Sequence, residues 1–440
     1  MLLPLEGVID LHLLRADPSE VTRALARRGV DANLIEDIVE LDVVHRSLLQ
    51  RQETLRAEVK AISKEVGAAK KAGDETAAAA LAEQSRRLGD EEREAAHEAE
   101  LAGVALRNEL LVLPNIPSSE TPDGLGEADN VECSRWWPGS ESGAPEPRYE
   151  EFQRVPHWEI GEQLGLLDLE RAAKLSGSMF PLFRAQGSQL LRALGSYALQ
   201  QHSDAYEEIR PPTLVLTETL MSTGHLPKFS DEAYALERDG LWAIPTAEVP
   251  LTSMHKDEIL KEDELPRRFT AQTACFRREA GAAGRDTRGL LRLHEFDKVE
   301  LFAYVTPDQA HEAHMDILRR AEQLLQDFGL YYRVLDLCCG DLGGSSARTF
   351  DLEVYAPGCD QWLEVSSISW FADYQARRAN VRFRPADGGS IQFVHTVNGS
   401  ALAWARIWAA IVENGRQADG SVVLPDVLSP YLNDTVIPAR

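Results

Sequence analysis

The chain has 440 residues, 44% hydrophobic and 27% charged, which suits a folded protein of two or three domains. Its 46 Lys and Arg stand against 71 Asp and Glu, a formal charge of −25, opposite in sign to a basic nucleic-acid footprint. Any polyanion contact must therefore come from local clusters within a Debye length of about 8–10 Å. No apolar run approaches the ~20 residues of a membrane span, and the start MLLPLEGVIDLHLLRADPSE lacks a basic leader region or small-residue cleavage site, so the expected location is the cytoplasm. The five cysteines, Cys133, Cys275, Cys338, Cys339 and Cys359, show no CxxC pair and no regular spacing. They read as buried thiols, and no disulfide framework or zinc is expected.

In chain order, Asp17-Pro18-Ser19 starts a short capped helix that ends near Arg27-Arg28-Gly29. From Asn33 to Leu113 there is no proline and the pattern is helical. Leu41, Val44, Leu48, Leu55, Val59, Ile62 and Val66 keep the three-and-four spacing of a coiled-coil seam. Gly67 and Gly73 interrupt it, and a return run carries Leu81, Leu88, Ala95, Ala99, Ala102 and Leu106. The expectation is an antiparallel hairpin roughly 50 Å long, read equally as a dimerising coiled coil, a solvated structural hairpin or a binding arm. Residues 114–150, rich in Pro, Gly, Ser and acids, read as a linker between a helical domain at 1–113 and a second domain at 151–440. That second domain alternates strands with a few helices, which fits a mainly antiparallel sheet flanked by helices. The fold class is therefore α+β.

The most informative stretch is Phe276 to Leu301, FRREAGAAGRDTRGLLRLHEFDKVEL, two extended runs joined by a polar Gly-rich loop. Side chains two apart share a face of a strand, so Arg277 pairs with Glu279, and Phe296 with Lys298 and Glu300. Further on, ALAWARIWAAIVENG reads as a helix carrying Arg406 after the strand IQFVHTVNGS, and Asn398-Gly399-Ser400 has the look of a helix N-cap.

This stretch resembles motif 2 of the class II aminoacyl-tRNA synthetases, specifically that of the seryl-tRNA synthetases. The resemblance continues in order through TGHLPKF (from Thr223), IPTAEVPLT (from Ile244), LEVSSIS (from Leu363), DYQARRAN (from Asp373) and NGSALAWAR (from Asn398). Arg210-Pro211-Pro212 resembles motif 1, which implies a homodimer. The resemblance implies activation of L-serine by ATP and transfer to tRNA(Ser), and to tRNA(Sec) as well. It places ATP against Arg277, Arg278, Glu279, Phe296, Glu364, Val365, Ser366, Ser367 and Arg406. Phe296 and Glu300 would lie roughly 13 Å apart along a strand, about the length of an aminoacyl-adenylate.

Serine would meet Thr246, Ala247, Glu248, Arg277, Glu300, Asn398 and Ser400, with the labour of Glu248 and Glu300 left undivided. Mg²⁺ would enter with ATP, held by Glu364 and Ser367. The arm would grip tRNA through Lys60, Lys64, Lys70, Lys71, Arg86 and Arg87. Arg277 and Arg406 are the expected catalytic cations, because negative charge gathers on phosphate oxygens in the transition state.

Several positions depart from the family's usual residues: Met179, Arg278, Ile368, Trp370, Ala401, Trp404, Ala405 and Trp408. Counted along one helix, Trp404 lies a turn from Ser400 and would crowd the site; altered core packing is the competing reading. The departures motivate an alternative, a second-copy enzyme for antibiotic self-resistance or for supplying activated serine to a biosynthetic route. A non-catalytic tRNA-binding paralogue and a ligase loading a carrier protein complete the alternatives.

Overall fold

The computed structural model describes residues 11–281 and 287–440; the first ten residues and the middle of the Gly-rich loop, both read above, lie outside the described residues. The chain divides into two compact units, Met1–Leu113 and Pro114–Arg440.

In the first unit, Asp17 caps the helix Pro18–Ala26 by accepting from Glu20 N at 2.9 Å. Two long helices follow, Ala32–Ala72 and Glu75–Val112, of 41 and 38 residues. Their turn is chemically minimal. Gly73 takes the left-handed conformation at φ +76° that ends the first helix, and Asp74 caps the second by accepting from Ala77 N. Gly67 does not interrupt the first helix, which runs through it to roughly 60 Å.

The seam is partly buried at Leu41, His45, Leu48, Gln52, Leu55, Val59, Ile62 and Val66, in alternating steps of four and three. Val44 was assigned to it, but is 49% exposed. His45 takes that position because Gly103 on the return helix leaves it room; a Cβ there would stand 3.1 Å from His45 Nε2. Buried Asp42 is held by Arg15 at 2.7 Å and Arg46 at 2.9 Å.

The second unit is built on eight strands: β1 (Val131–Trp136), β2 (Glu207–Glu208), β3 (Arg267–Phe276), β4 (Glu295–Val305), β5 (Tyr332–Asp336), β6 (Arg348–Ala356), β7 (Gln361–Trp370) and β8 (His395–Ala403). They form one sheet in the order β1-β5-β6-β7-β8-β4-β3-β2, antiparallel throughout except for the edge pair β2–β3. The stretch 114–150 is not a plain linker. It supplies edge strand β1, and Asn115 donates to the carbonyls of Ser345 at 2.9 Å and Phe371 at 2.8 Å.

Helices Ala185–His202, Ala310–Asp327 and Trp404–Asn414 contribute to the main core cluster with β4 and β6–β8. The last helix is buried almost all round, which is how its two tryptophans are accommodated. Trp404 and Trp408 are both 0% exposed, and Trp408 Nε1 donates to Gly187 O at 3.0 Å. The helix begins only at Trp404, so Ser400 is no N-cap: it belongs to β8 and pairs with Glu300 of β4. Trp404 therefore does not share a helical face with Ser400 and does not crowd it. Ile368 and Ala401 are core residues too, whereas Trp370 is partly buried against the ring of His395. Of the cysteines, Cys275, Cys338 and Cys339 are buried, but Cys133 is exposed.

Candidate active site

Strands β4, β7 and β8, the segment after β3 and the start of the Trp404–Asn414 helix wall a cavity of about 500 Å³. Thr246, Glu248, Arg277, Glu279, Phe296, Glu300, Glu364, Val365, Ser366, Ser367, Asn398, Ser400 and Arg406 all line it. Two expected members do not. Ala247 is 0% exposed and packs in a hydrophobic cluster with Leu251 and Phe269. Arg278 is exposed outside the cavity, and its backbone N–H donates to Glu232 O at 2.9 Å.

Alternation along β4 carries Phe296, Lys298 and Glu300 into the cavity together. Arg277 and Glu279 arrive there by another route. Strand β3 ends at Phe276, and Glu279 sits at φ +51°, the left-handed region, so no shared strand face aligns them. Glu279 is held by Arg292 Nη1 at 2.9 Å. The Arg277 guanidinium lies 5.1 Å over the Phe296 ring. Arg406 bridges two segments of the chain, donating to Leu291 O at 3.2 Å and Glu364 O at 2.7 Å.

The two buried carboxylates are in unlike surroundings. Glu300 accepts from Thr246 Oγ1 at 2.7 Å and pairs with Lys298 Nζ at 2.5 Å. Among the described residues no cation stands at hydrogen-bonding distance of Glu248; Gln375 Nε2 donates to it at 2.6 Å and Asn398 adds a second hydrogen bond. Burial, then the charge of Glu300, pushes the Glu248 carboxyl up to about 7. Gln375 is itself fixed, accepting from Thr396 Oγ1 at 2.7 Å and Thr252 Oγ1 at 3.4 Å.

At the other side, Ser366 Oγ donates to Ser400 O at 2.6 Å, which ties β7 to β8. Asp351 stands opposite Ser367 in the β6–β7 register and hydrogen-bonds to it, yet its Oδ1 is buried without a partner among the described residues. Burial and the neighbouring Glu364 push the Asp351 carboxyl well above the usual range. That is the signature of an oxygen cluster short of positive charge, and it fits a divalent cation.

Residues 233–415 match the profile of the tRNA synthetase class II core domain (G, H, P, S and T), and residues 8–117 that of the seryl-tRNA synthetase N-terminal domain. The serine–tRNA ligase of Kosmotoga olearia is 44% identical over 98% of this chain and 100% of its own length. The chain belongs to the seryl-tRNA synthetase family.

A second serine–tRNA ligase, from Nitratidesulfovibrio vulgaris strain Hildenborough, is 46% identical over 97% of this chain and 98% of its own. Among solved structures, the seryl-tRNA synthetase from Pyrococcus horikoshii complexed with ATP superposes with a TM-score of 0.89, at 35% identity over 98% of this chain and 100% of that one. The cytoplasmic serine–tRNA ligase from Naegleria fowleri in complex with AMP gives 0.83 at 26% identity, covering 100% and 99%.

In and around the cavity of this seryl-tRNA synthetase family member, three lining or supporting groups have no role predicted from sequence. Lys298 was visible by alternation, but only its contact with Glu300 explains it. Gln375 and His225 lay inside quoted motifs without chemistry attached. The His225 imidazole is 2.7 Å from Thr223 Oγ1, and burial with the charges of Arg277 and Lys298 pushes it down to about 4, so it is neutral near pH 7. The six arm cations, Lys60, Lys64, Lys70, Lys71, Arg86 and Arg87, are all exposed, and Arg87 lies 3.7 Å from Glu91. Among the described residues no helix is long and apolar enough to cross a membrane.

Proposed function

We propose that this chain is a cytoplasmic, homodimeric enzyme that joins L-serine to ATP as seryl-adenylate and passes the seryl group to tRNA(Ser), and also to tRNA(Sec). The carrying observation is the pairing, in one cavity, of an amide-bound buried carboxylate (Glu248) beside a hydroxyl-bound one (Glu300) with the guanidinium of Arg277 over Phe296. The serine ammonium compensates Glu248, while the Thr246–Glu300 pair and Ser400 suit a small hydroxylated side chain. A site built to hydrogen-bond a hydroxyl rejects analogues without one.

The serine carboxylate attacks the α-phosphorus in line; one P–O bond forms, and the bond to pyrophosphate breaks. Arg277 meets the charge that gathers on the phosphate oxygens, exchanging its Phe296 contact, worth about 0.5–2 kcal/mol, for a charge-assisted one. Phe296 then offers its ring to the adenine, Glu279 accepts from the adenine amino group, and Arg406 closes the far side. Glu364 and Ser367, with Asp351 behind them, would hold Mg²⁺, which supplies charge neutralisation to the phosphates. The arm's exposed lysines and arginines grip tRNA phosphates. Trp404 and Trp408 lie in the core, so they give no support to a specialised second-copy role.

Serine-dependent ATP–pyrophosphate exchange tests the reading, followed by charging of tRNA(Ser) and tRNA(Sec). Exchange with serine should far exceed that with alanine, glycine or threonine; parity with any of the three overturns it.

A further inference from the structure

Behind the ATP side of the cavity lies a buried group of titratable side chains that the chemistry above does not use. His157 and Glu413 are both 0% exposed in their side chains, and His157 Nδ1 stands 2.8 Å from Glu413 Oε1. The other ring nitrogen, Nε2, is 2.9 Å from the backbone N–H of Leu290. An amide N–H can only donate, so Nε2 must accept, and the ring proton belongs on Nδ1, facing the carboxylate.

Glu413 is locked in turn. It accepts from His157 N at 2.9 Å, Gly358 N at 2.8 Å, Cys359 N at 3.3 Å and Cys359 Sγ at 3.1 Å. These ligand-type atoms are close enough to hold a metal ion. With the imidazole proton and all these donors already directed at the carboxylate, the arrangement is a hydrogen-bonded orienting device instead.

What it orients is the wall of the cavity. Arg406 and Glu413 sit seven residues apart on one helix, close to two full turns, so they share a face. Arg406 holds the carbonyl of Leu291, while Glu413, through His157, holds the N–H of Leu290. A single helix thus grips two consecutive residues of the segment returning from the Gly-rich loop, one by its C=O and the next by its N–H. That segment carries Arg292, the partner of Glu279. The fit is close from outside as well. Gly289 sits at φ +59°, and a Cβ there would lie 2.5 Å from His157 Nε2 and 2.6 Å from the Trp158 ring.

We infer that His157 is a positioning residue for ATP, acting through Leu290, with Glu413 fixing its tautomer. This rests on the proposed serine activation. The assay is serine-dependent pyrophosphate exchange with the full chain, varying ATP and serine separately, with thermal unfolding measured in parallel. His157→Phe keeps a ring but leaves the buried Leu290 N–H without its acceptor. KM for ATP should rise about tenfold, the scale of one unmade buried hydrogen bond, while KM for serine stays within about twofold.

His157→Gln, which offers an oxygen near the Nε2 position, should recover most of the loss. Gly289→Ala, whose Cβ would crowd His157 Nε2 and the Trp158 ring and so part the Leu290 N–H from its acceptor while both His157 and Glu413 remain in the chain, should reproduce the ATP-selective signature and carries the test if His157→Phe fails to fold. A joint rise of both KM values, no change in either, or a Gln variant as impaired as Phe overturns the inference. A wild-type chain inactive with serine would instead overturn the function on which it rests.

Discussion

Glu248 offers the sharpest perturbation, because its titration falls where enzymes are routinely assayed. Burial and the charge of Glu300 lift its carboxyl to about 7, while Lys298, Gln375 and Asn398 pull in the opposite direction. A bound serine ammonium favours the ionised form, so binding is strongest above that pH and must expel a proton below it. The sign follows: KM for serine falls as pH rises through about 7. In the acid limb each pH unit changes the ionised fraction about tenfold, so KM for serine should grow by about an order of magnitude between roughly pH 8 and pH 6. KM for ATP should not follow, since Glu248 is proposed to meet serine and not the nucleotide. In Glu248→Gln the serine KM should be high and flat across the same range. Initial-rate exchange at several pH values measures all three. A flat wild-type serine KM would show that the ammonium meets Glu300 and Lys298's surroundings rather than Glu248.

Removing Gln375's amide, as in Gln375→Leu, deletes a donor to Glu248 and should move the acid limb of that profile to higher pH; an unmoved limb would refute the linkage. Arg277→Ala and Arg406→Ala should each lower exchange by about 10²–10³, the scale of one transition-state donor, and near-normal exchange in either would mean that the ATP site is misplaced. Replacing residues 34–112 by a short flexible linker should preserve seryl-adenylate formation and cripple charging, since the two helices hold their own seam and no cavity residue. Charging by the whole chain should also weaken steeply with salt, and a truncated protein that charged equally well would make the hairpin merely structural.

The alternation of Phe296, Lys298 and Glu300 was legible because period two is a local property of one strand. Arg277 and Glu279 reach the same cavity, yet no periodicity could place them: the strand stops at Phe276 and a left-handed residue re-aims the chain. In the hairpin the heptad was readable, but the choice of His45 over Val44 was decided by the absent side chain of Gly103, distant in sequence. Strand β1 looked like linker because its pairing partner begins some 200 residues away, with Val131 opposite Asp336. Local composition there is that of a loop. Ser400 read as a cap since Asn-Gly-Ser before an apolar run usually is one; the β8 ladder to β4 overrode it. Lone acids and imidazoles such as Glu413 and His157 carry no sequence signal for a contact spanning 256 positions.

Between Ser400 and Arg406 the backbone changes from strand to helix within a few residues, and Leu402, fully buried, does so at φ +74°. A leucine held there stores on the order of 1–2 kcal/mol. The gap between Ser400, proposed to meet the amino acid, and Arg406, proposed to meet the nucleotide, is thus spanned by a stretch of covalent chain with little slack. It acts as a gauge. A one-residue insertion or deletion in that stretch would put the helix out of phase by about 100°, turning Arg406 away from the cavity while leaving every contact side chain in the sequence.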